Sequence, residues 1–278
     1  MNIYRGCSHG CIYCDSRSKC YQFTHAFEDI EVKQNAPELL ADALRRKRRR
    51  CMIGTGSMCD PYIPAEKELC LMRRCLEVID RYDFGAALLT KSDLLLRDLD
   101  ILERINRKTK AVVQMTLTTA DDNLCRLIEP GVCPTSRRFE VLCECKKLGI
   151  PTVVWFSPLL PFINDTKENV DGILDYCIRA GVKAILCFGI GLTLREGNRE
   201  YFYDALDRLA LQHSHFANLK DRYIRTFGNN YMVASRNENQ LMAHISQVCK
   251  KNNIIFGGES IFKWIEDFPE DSLQPGLF

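Results

Sequence analysis

Cys7, Cys11 and Cys14 form a CxxxCxxC triplet, Cys7-Ser-His-Gly-Cys11-Ile-Tyr-Cys14, and three thiolates at that spacing can wrap one face of an iron–sulfur cluster. One iron is then left without a protein ligand. A metal with an open position can bind and activate a small molecule, whereas a fully ligated metal mostly holds structure or passes electrons. Zinc is the main competing reading, but a structural zinc site takes four ligands, usually as two CxxC-like pairs, and no second pair follows at finger or ribbon spacing. His9 lies inside the triplet and would compete awkwardly for the same metal, and His25 is a looser candidate. Disulfides fit less well: 15 cysteines is an odd number, and no charged, apolar and small-residue signal segment precedes the motif. Free thiols on that scale fit a reducing cytoplasm.

Such a loop needs a fold with a core behind it, and 278 residues with 46% hydrophobic content can supply one large α/β domain or two small ones. No proline-rich, glycine-rich or serine-rich linker interrupts the chain. The longest apolar runs are too short to cross a bilayer, which predicts a soluble protein without a membrane partner. With 38 basic against 36 acidic residues the formal charge is +2, so the overall field promises no polyanionic partner. One local run stands out, Arg45-Arg46-Lys47-Arg48-Arg49-Arg50, after the helical pattern of Ala36, Leu39, Leu40, Ala43 and Leu44. It could grip phosphates, but cations are favoured at a helix C-terminus, and a solvated helix end is the simpler reading.

The hydrophobic periodicity alternates strand and helix. Short buried strands are predicted at Met52 to Gly56 and Ala86 to Thr90, with helices over Pro64 to Tyr82 and Leu96 to Ile105 between and after them. Ala111 to Thr118 is the clearest strand, with Val113, Met115 and Leu117 on one face and Gln114, Thr116 and Thr118 on the other. Helices near Asp121 to Ile128 and Ser136 to Leu148, a strand at Thr152 to Phe156, a helix over Lys167 to Ala180 and a strand at Ala184 to Phe188 follow. Counting the segment before the triplet as the first strand, these make six units. Repeated βα units of this length imply parallel strands with helical crossovers, so the expected fold is α/β, a partial (βα)6 TIM-like barrel with C-terminal helical additions. The expected division is 1–195 for the barrel and 196–278 for a helical extension packed on it.

In such barrels the loops after the strands make the active face. The triplet, Thr55 to Pro64, Lys91 and Ser92, Thr118 and Thr119, Pro158 to Asp165, and Gly189 to Arg195 are all such loops, so they are expected to converge on one mouth. The basic run falls on the far face.

The triplet after a first barrel strand, with the aromatic Tyr13 before its last cysteine, resembles the radical S-adenosylmethionine superfamily. Asn2-Ile-Tyr-Arg-Gly-Cys7, Gly54-Thr-Gly-Ser-Met-Cys-Asp-Pro61 and Thr90-Lys-Ser92 resemble its branch that includes spore photoproduct lyase and the DNA repair photolyase-like proteins. That resemblance implies a 4Fe-4S cluster ligated by Cys7, Cys11 and Cys14, with S-adenosylmethionine on the open iron. One electron, from a donor such as flavodoxin or ferredoxin, would cleave a carbon–sulfur bond and give a 5′-deoxyadenosyl radical that abstracts hydrogen from a substrate. It implies further that Gly56, Ser57 and Asp60 receive the methionyl end, that Lys91 contacts its carboxylate, and that Thr116 and its neighbour Thr118 stand near the cofactor. Gly6 and Gly10 would let the loop close on the cluster. The bland alternatives are a solvated strand end for Lys91 and β-branched filling for both threonines.

Departures from the lyase pattern matter. Ser57 stands where the lyase has its hydrogen-donating cysteine, and Asp15 where it has a tyrosine, which puts photoproduct repair in doubt. Cys59, two residues further on, is a candidate substitute donor, or a plain replacement of a small residue beside Asp60. Of the remaining cysteines, Cys70, Cys75, Cys125, Cys143, Cys145 and Cys177 are predicted in helices and Cys51 at the barrel bottom. Cys20 and Cys187 fall near the mouth, Cys133 and Cys249 are isolated, and no second cluster is expected. Phe162-Ile163-Asn164-Asp165 is the candidate substrate-recognition segment, and Tyr201, Phe202 and Tyr203 open a helix that either covers the mouth or packs on the barrel, packing being the simpler reading. Two function classes remain: a radical enzyme acting on an unknown substrate, a nucleic-acid lesion among the candidates, or a non-catalytic iron–sulfur or zinc protein that senses redox state or binds nucleic acid. Methylation or maturation of RNA or protein by the same radical is a third reading within the enzyme class.

Overall fold

A computed structural model describes residues 1–267; the last part of the expected C-terminal extension, 268–278, lies outside them. In chain order the elements are β1 (Tyr4–Arg5), β2 (Glu31–Val32), α1 (Ala36–Arg46), β3 (Met52–Thr55), α2 (Glu66–Leu69), α3 (Leu71–Arg81), β4 (Gly85–Thr90), α4 (Leu99–Lys108) and β5 (Ala111–Thr116). Then come α5 (Asp122–Ile128), α6 (Thr135–Lys147), β6 (Thr152–Trp155), α7 (Lys167–Ala180), β7 (Ala184–Leu186), β8 (Gly191–Thr193), α8 (Asn198–Ala210) and α9 (Leu219–Phe227). The chain closes with β9 (Met232–Ala234), α10 (Glu238–Lys251), β10 (Ile255–Phe256) and α11 (Gly258–Glu266).

Six strands form one sheet in the order β10-β7-β6-β5-β4-β3, every neighbouring pair parallel. The α/β class and the partial barrel with helical additions are as the sequence predicts. The periodicity works because each strand has two apolar neighbours. Leu88, Val113, Met115, Val154 and Ile185 meet helix residues such as Leu76, Leu102, Leu142 and Ile173. Ala87, Val112, Val153 and Ala184 on the opposite face meet Ile261 and Ile265 of α11, which therefore fills the concave side of the sheet. Helix α7 shows how the local code is read: the Thr166 side chain accepts from Asn169 N at 3.2 Å, Val170, Ile173, Leu174 and Cys177 form the buried stripe, and Gly181 closes the helix at φ 66°.

Three elements depart from expectation. The sixth strand of the sheet is β10, from the C-terminal part, while the segment before the triplet, β1, pairs antiparallel with β2. With two residues each, none of these three strands is long enough to show a period. The predicted helix from Pro64 to Tyr82 is broken at Cys70, which adopts a left-handed conformation at φ 48°. The cause is Glu66: its buried carboxylate accepts Leu71 N and Met72 N at 3.0 Å each, so it caps α3 and starts a new helix. Arg97 Nη2 at 2.7 Å and the Tyr4 hydroxyl complete its partners. The third departure is Asp93–Asp98, a 3-10 turn ahead of α4.

Helices α8 and α9 and the β8–β9 ribbon build a second core with the triplet loop. Phe202, Phe216, Tyr223, Leu192 and Leu194 pack there with Cys11, Ile12 and Tyr13. Among the described residues, no helix is long and apolar enough to cross a membrane.

Candidate active site

The triplet loop begins at Gly6, whose φ of 87° and close approach to Phe27 leave no room for a side chain: a Cβ would lie 2.6 Å from the Phe27 carbonyl oxygen. Cys7 N donates to that same carbonyl at 3.0 Å. From there Cys7, Cys11 and Cys14 line one cavity of ≈ 160 Å³, together with residues from the loop after β3 and the ends of β4 and β5. All three thiols are free. The three thiols thus border one shared space. Three free thiols on one cavity fit an iron–sulfur cluster, which Cys7, Cys11 and Cys14 would hold.

The electrostatics fit such a guest. Burial pushes the Cys11 thiol up to about 12 and raises Cys14 as well, with the nearby Lys91 ammonium opposing burial at both. Cys7 differs: the Cys59 thiol donates to it and favours its ionised form against burial, with His9 assisting. Cys59 is correspondingly held protonated, by that bond first and by burial. Cys59 Sγ also lies 3.4 Å from the Asp60 carbonyl, and its side chain lines the inner cavity but not the pocket outside it. That placement argues against Cys59 as a hydrogen donor to substrate.

Asp60 also lines the cavity, but its carboxylate is engaged. It accepts from Tyr62 N at 2.8 Å, Thr90 Oγ1 at 2.7 Å and Lys91 N at 2.7 Å, with His9 Nδ1 3.6 Å away. It therefore ties the loop after β3 to the end of β4. Gly56, at φ 93°, lies so close to β4 that a Cβ would collide with the Leu89 backbone. Ser57 is exposed at the rim. Thr116 reaches the cavity from β5, whereas Thr118 lines neither cavity nor pocket. The strand ends at Thr116, and the Thr118 carbonyl accepts from Asn164 Nδ2 at 2.7 Å and Asn169 Nδ2 at 3.1 Å.

Lys91 stands where the cavity opens into a second pocket of ≈ 450 Å³, and Cys14, Ser57 and Thr116 line both as well. Burial alone would lower its pKa, but Cys11, Glu129 and Cys14 outweigh burial and hold the ammonium above the usual lysine range. Glu129 is a residue that sequence reasoning missed. Its enclosed carboxylate pairs with the equally enclosed Arg138 at 2.7 Å, lies 3.9 Å from Lys91 Nζ and accepts the Tyr13 hydroxyl. A signal existed: Arg138 shares the buried stripe of α6 with Thr135, Leu142 and Cys145, and a charged residue on such a stripe requires a partner.

The outer pocket is walled by Trp155 and Phe188, edge to face at 5.9 Å, and by Met232 of the β8–β9 ribbon. Trp155 Nε1 donates to Gln114 Oε1 at 2.7 Å. Asp15 also lines this pocket, fixed by Arg195 at 2.7 Å. The segment Phe162 to Asp165 lies elsewhere. Phe162 packs on Tyr223 and Phe227 of α9, Asn164 bonds to the Thr118 carbonyl, and Asp165 is held by Phe162 N and Ser235 Oγ. Phe202 is fully buried in the same core, and Tyr201 stacks under the Arg17 guanidinium at 3.4 Å, so packing accounts for these aromatics. Cys133 is not isolated: it donates to the Lys91 carbonyl at 3.2 Å. Cys187 is buried against Gly189 and Met242, and Cys20 is exposed.

The chain is 30% identical over 213 residues to an uncharacterized protein of Mycobacterium tuberculosis, covering 73% of this chain and 61% of that one. It is 31% identical over 169 residues to an uncharacterized protein of Methanocaldococcus jannaschii, covering 60% and 62%. The chain thus spans less than two thirds of the length of these relatives. In fold it is similar to a spore photoproduct lyase variant with bound AdoMet and dinucleoside spore photoproduct, with a TM-score of 0.66 at 13% identity over 92% of this chain and 74% of that one. The family model of the Radical SAM superfamily matches residues 1–177. The chain belongs to the Radical SAM superfamily, enzymes that work with S-adenosylmethionine and an iron–sulfur cluster.

Proposed function

We propose that this enzyme holds a 4Fe-4S cluster on Cys7, Cys11 and Cys14 and cleaves S-adenosylmethionine reductively, so that a 5′-deoxyadenosyl radical abstracts hydrogen from a substrate in the outer pocket. The observation that carries the reading is the placement of Lys91, a cation at the opening between a three-thiol cavity and a larger pocket. When bound, the cluster supplies one electron to the sulfonium of S-adenosylmethionine through its open iron. The chain's own residues orient and shield. Lys91 presents three donors to the methionyl carboxylate. Thr116 and Ser57 border the space the methionyl group would enter, and Gly56 keeps the loop backbone close to β4. Asp60 fixes Lys91 and Thr90 and, with three of its roughly four acceptor positions filled, has at most one left for the ammonium group. The Tyr13 side chain, Leu192 and Trp155 wall the pocket and would limit access of competing hydrogen donors to a reactive intermediate.

The substrate is a molecule small enough, or with a part small enough, to enter ≈ 450 Å³ beside Trp155 and Phe188. Likeness to a lyase that binds a dinucleoside photoproduct makes a nucleic-acid lesion the first class to try. A low-potential carrier such as flavodoxin or ferredoxin would be the electron source. Anaerobic reconstitution with iron and sulfide, then reduction with S-adenosylmethionine present, tests the reading. The expected products are 5′-deoxyadenosine and methionine, abolished in Cys11→Ala. A protein that takes up zinc, or iron without ever cleaving the cofactor, would contradict it and favour a non-catalytic metal protein.

A further inference from the structure

Glu129 and Arg138 form an enclosed ion pair that no catalytic role described above uses. Arg138 is anchored on three sides: Nη1 donates to the Thr116 carbonyl at 3.0 Å, Nε to the Cys133 carbonyl at 2.9 Å, and Nη2 pairs with Glu129 Oε2 at 2.7 Å. These bonds leave Glu129 Oε1 to face the site, where it accepts the Tyr13 hydroxyl and lies 3.9 Å from Lys91 Nζ. The turn that carries Glu129 is also stitched to the triplet loop through backbone, Ile12 N to the Ile128 carbonyl at 3.0 Å and Gly131 N to the His9 carbonyl at 2.8 Å.

Two features make this more than filler. An enclosed pair of charges is no more stable than apolar side chains of the same volume would be, so burial energy does not account for it. The contact to Lys91 is too long for a hydrogen bond, and among the described residues the ammonium donates to no side chain or carbonyl. Lys91 is held in place by charge while its donors stay free. The same carboxylate thus holds the cation at the opening and the tyrosine between the second and third cysteines.

We propose that Glu129, braced by Arg138, is a positioning residue that places the Lys91 ammonium at the opening of the cavity and sets the triplet loop through Tyr13, so that the carboxylate of S-adenosylmethionine meets a preplaced cation. The inference rests on the cofactor reading above. It predicts coupling between Glu129 and Lys91 that a merely structural ion pair would not show.

The test compares reconstituted wild type, Glu129→Gln, Lys91→Met and the double variant. The readouts are iron per chain, the dissociation constant for S-adenosylmethionine by equilibrium dialysis, and the melting temperature of the cluster-free chain. Glu129→Gln should keep its iron and weaken cofactor binding on the order of ten-fold, the usual effect of losing a supporting partner of a metal-site residue. The double variant should bind no more weakly than Lys91→Met alone. Wild-type affinity in Glu129→Gln, a fully additive double variant, or a fall in melting temperature alone would each overturn the proposal. If Lys91→Met itself binds like wild type, the proposal falls together with the cofactor role of Lys91, a result distinct from failure of the bracing alone. Should Glu129→Gln not fold, Glu129→Gln with Arg138→Gln removes both members of the enclosed pair, so Arg138 is not left buried without its carboxylate, and carries the same comparison.

Discussion

Replacing Lys91 by methionine separates binding from folding, because its two contacts differ in kind. Inside the protein Lys91 Nζ makes a 3.9 Å charge contact with Glu129 and stands 5.4 Å from the centroid of the Tyr13 ring, neither of them a hydrogen bond, and Glu129 keeps Arg138 at 2.7 Å when the lysine is gone. No buried charge is orphaned, and the linear methionine side chain fills most of the same space, so the stability cost is about 1 kcal/mol. Toward the cofactor the loss is larger: a charge-assisted bond to a carboxylate contributes about 1.5–3 kcal/mol, which is roughly a 10- to 150-fold weaker dissociation constant. Equilibrium dialysis of labelled S-adenosylmethionine on anaerobically reconstituted protein, with iron content and melting temperature on the same samples, reads both. Binding within two-fold of wild type at equal iron content would refute the reasoning. So would weaker binding explained entirely by iron loss.

Other substitutions probe the scaffold. Gly56→Ala forces a side chain into φ 93° and against the Leu89 backbone, storing about 1–3 kcal/mol of strain; cofactor binding in dialysis should weaken more than the melting temperature falls. Glu66→Ala removes the cap of α3 and the partner of Arg97 and Tyr4, a loss of about 3 kcal/mol that calorimetry should show as a melting temperature lower by roughly 6–12 °C at this chain length. Asp80 is held below the usual carboxylate range because Lys108 and Arg104 outweigh its partial burial. A depressed carboxyl stabilises above its unfolded pKa, about 3.9, and that stability is lost as the pH falls through the folded value. Urea unfolding should find Asp80→Asn less stable than wild type at pH 7, with the gap closing below about pH 3.9; a gap unchanged at pH 2 would show that the effect is not ionic.

Chemistry with strict spacing was legible in the sequence. The triplet needs only short-range order, and strand β5 shows its period because Val113 and Met115 meet helices while Gln114 and Thr116 face inward. The ends of α7 are read from Thr166 and Gly181, both local signals. What escaped depends on distant partners. The break at Cys70 follows from Glu66 capping a helix while held by Arg97 and Tyr4, and no local preference announces it. Strands β1, β2 and β10 have two residues each and no period. Phe162 to Asp165 looked like recognition because polar and aromatic residues share a loop after a strand. Its polar groups instead bond inward to Thr118 and Ser235, and its aromatic ring meets α9. The motif around Asp60 does not reveal that its carboxylate already accepts three hydrogen bonds, and strand alternation does not reveal that β5 ends at Thr116, two residues before Thr118.

The claim on which all else depends is that three thiolates leave a corner of the cluster open to the cofactor. Electron–nuclear double resonance of the reduced, reconstituted protein with S-adenosylmethionine labelled with oxygen-17 in its carboxylate tests it directly. The account predicts hyperfine coupling of the label to the cluster, lost in Cys14→Ala. A cluster signal indifferent to the labelled cofactor, or a fourth cysteine sulfur on the remaining iron, would contradict it.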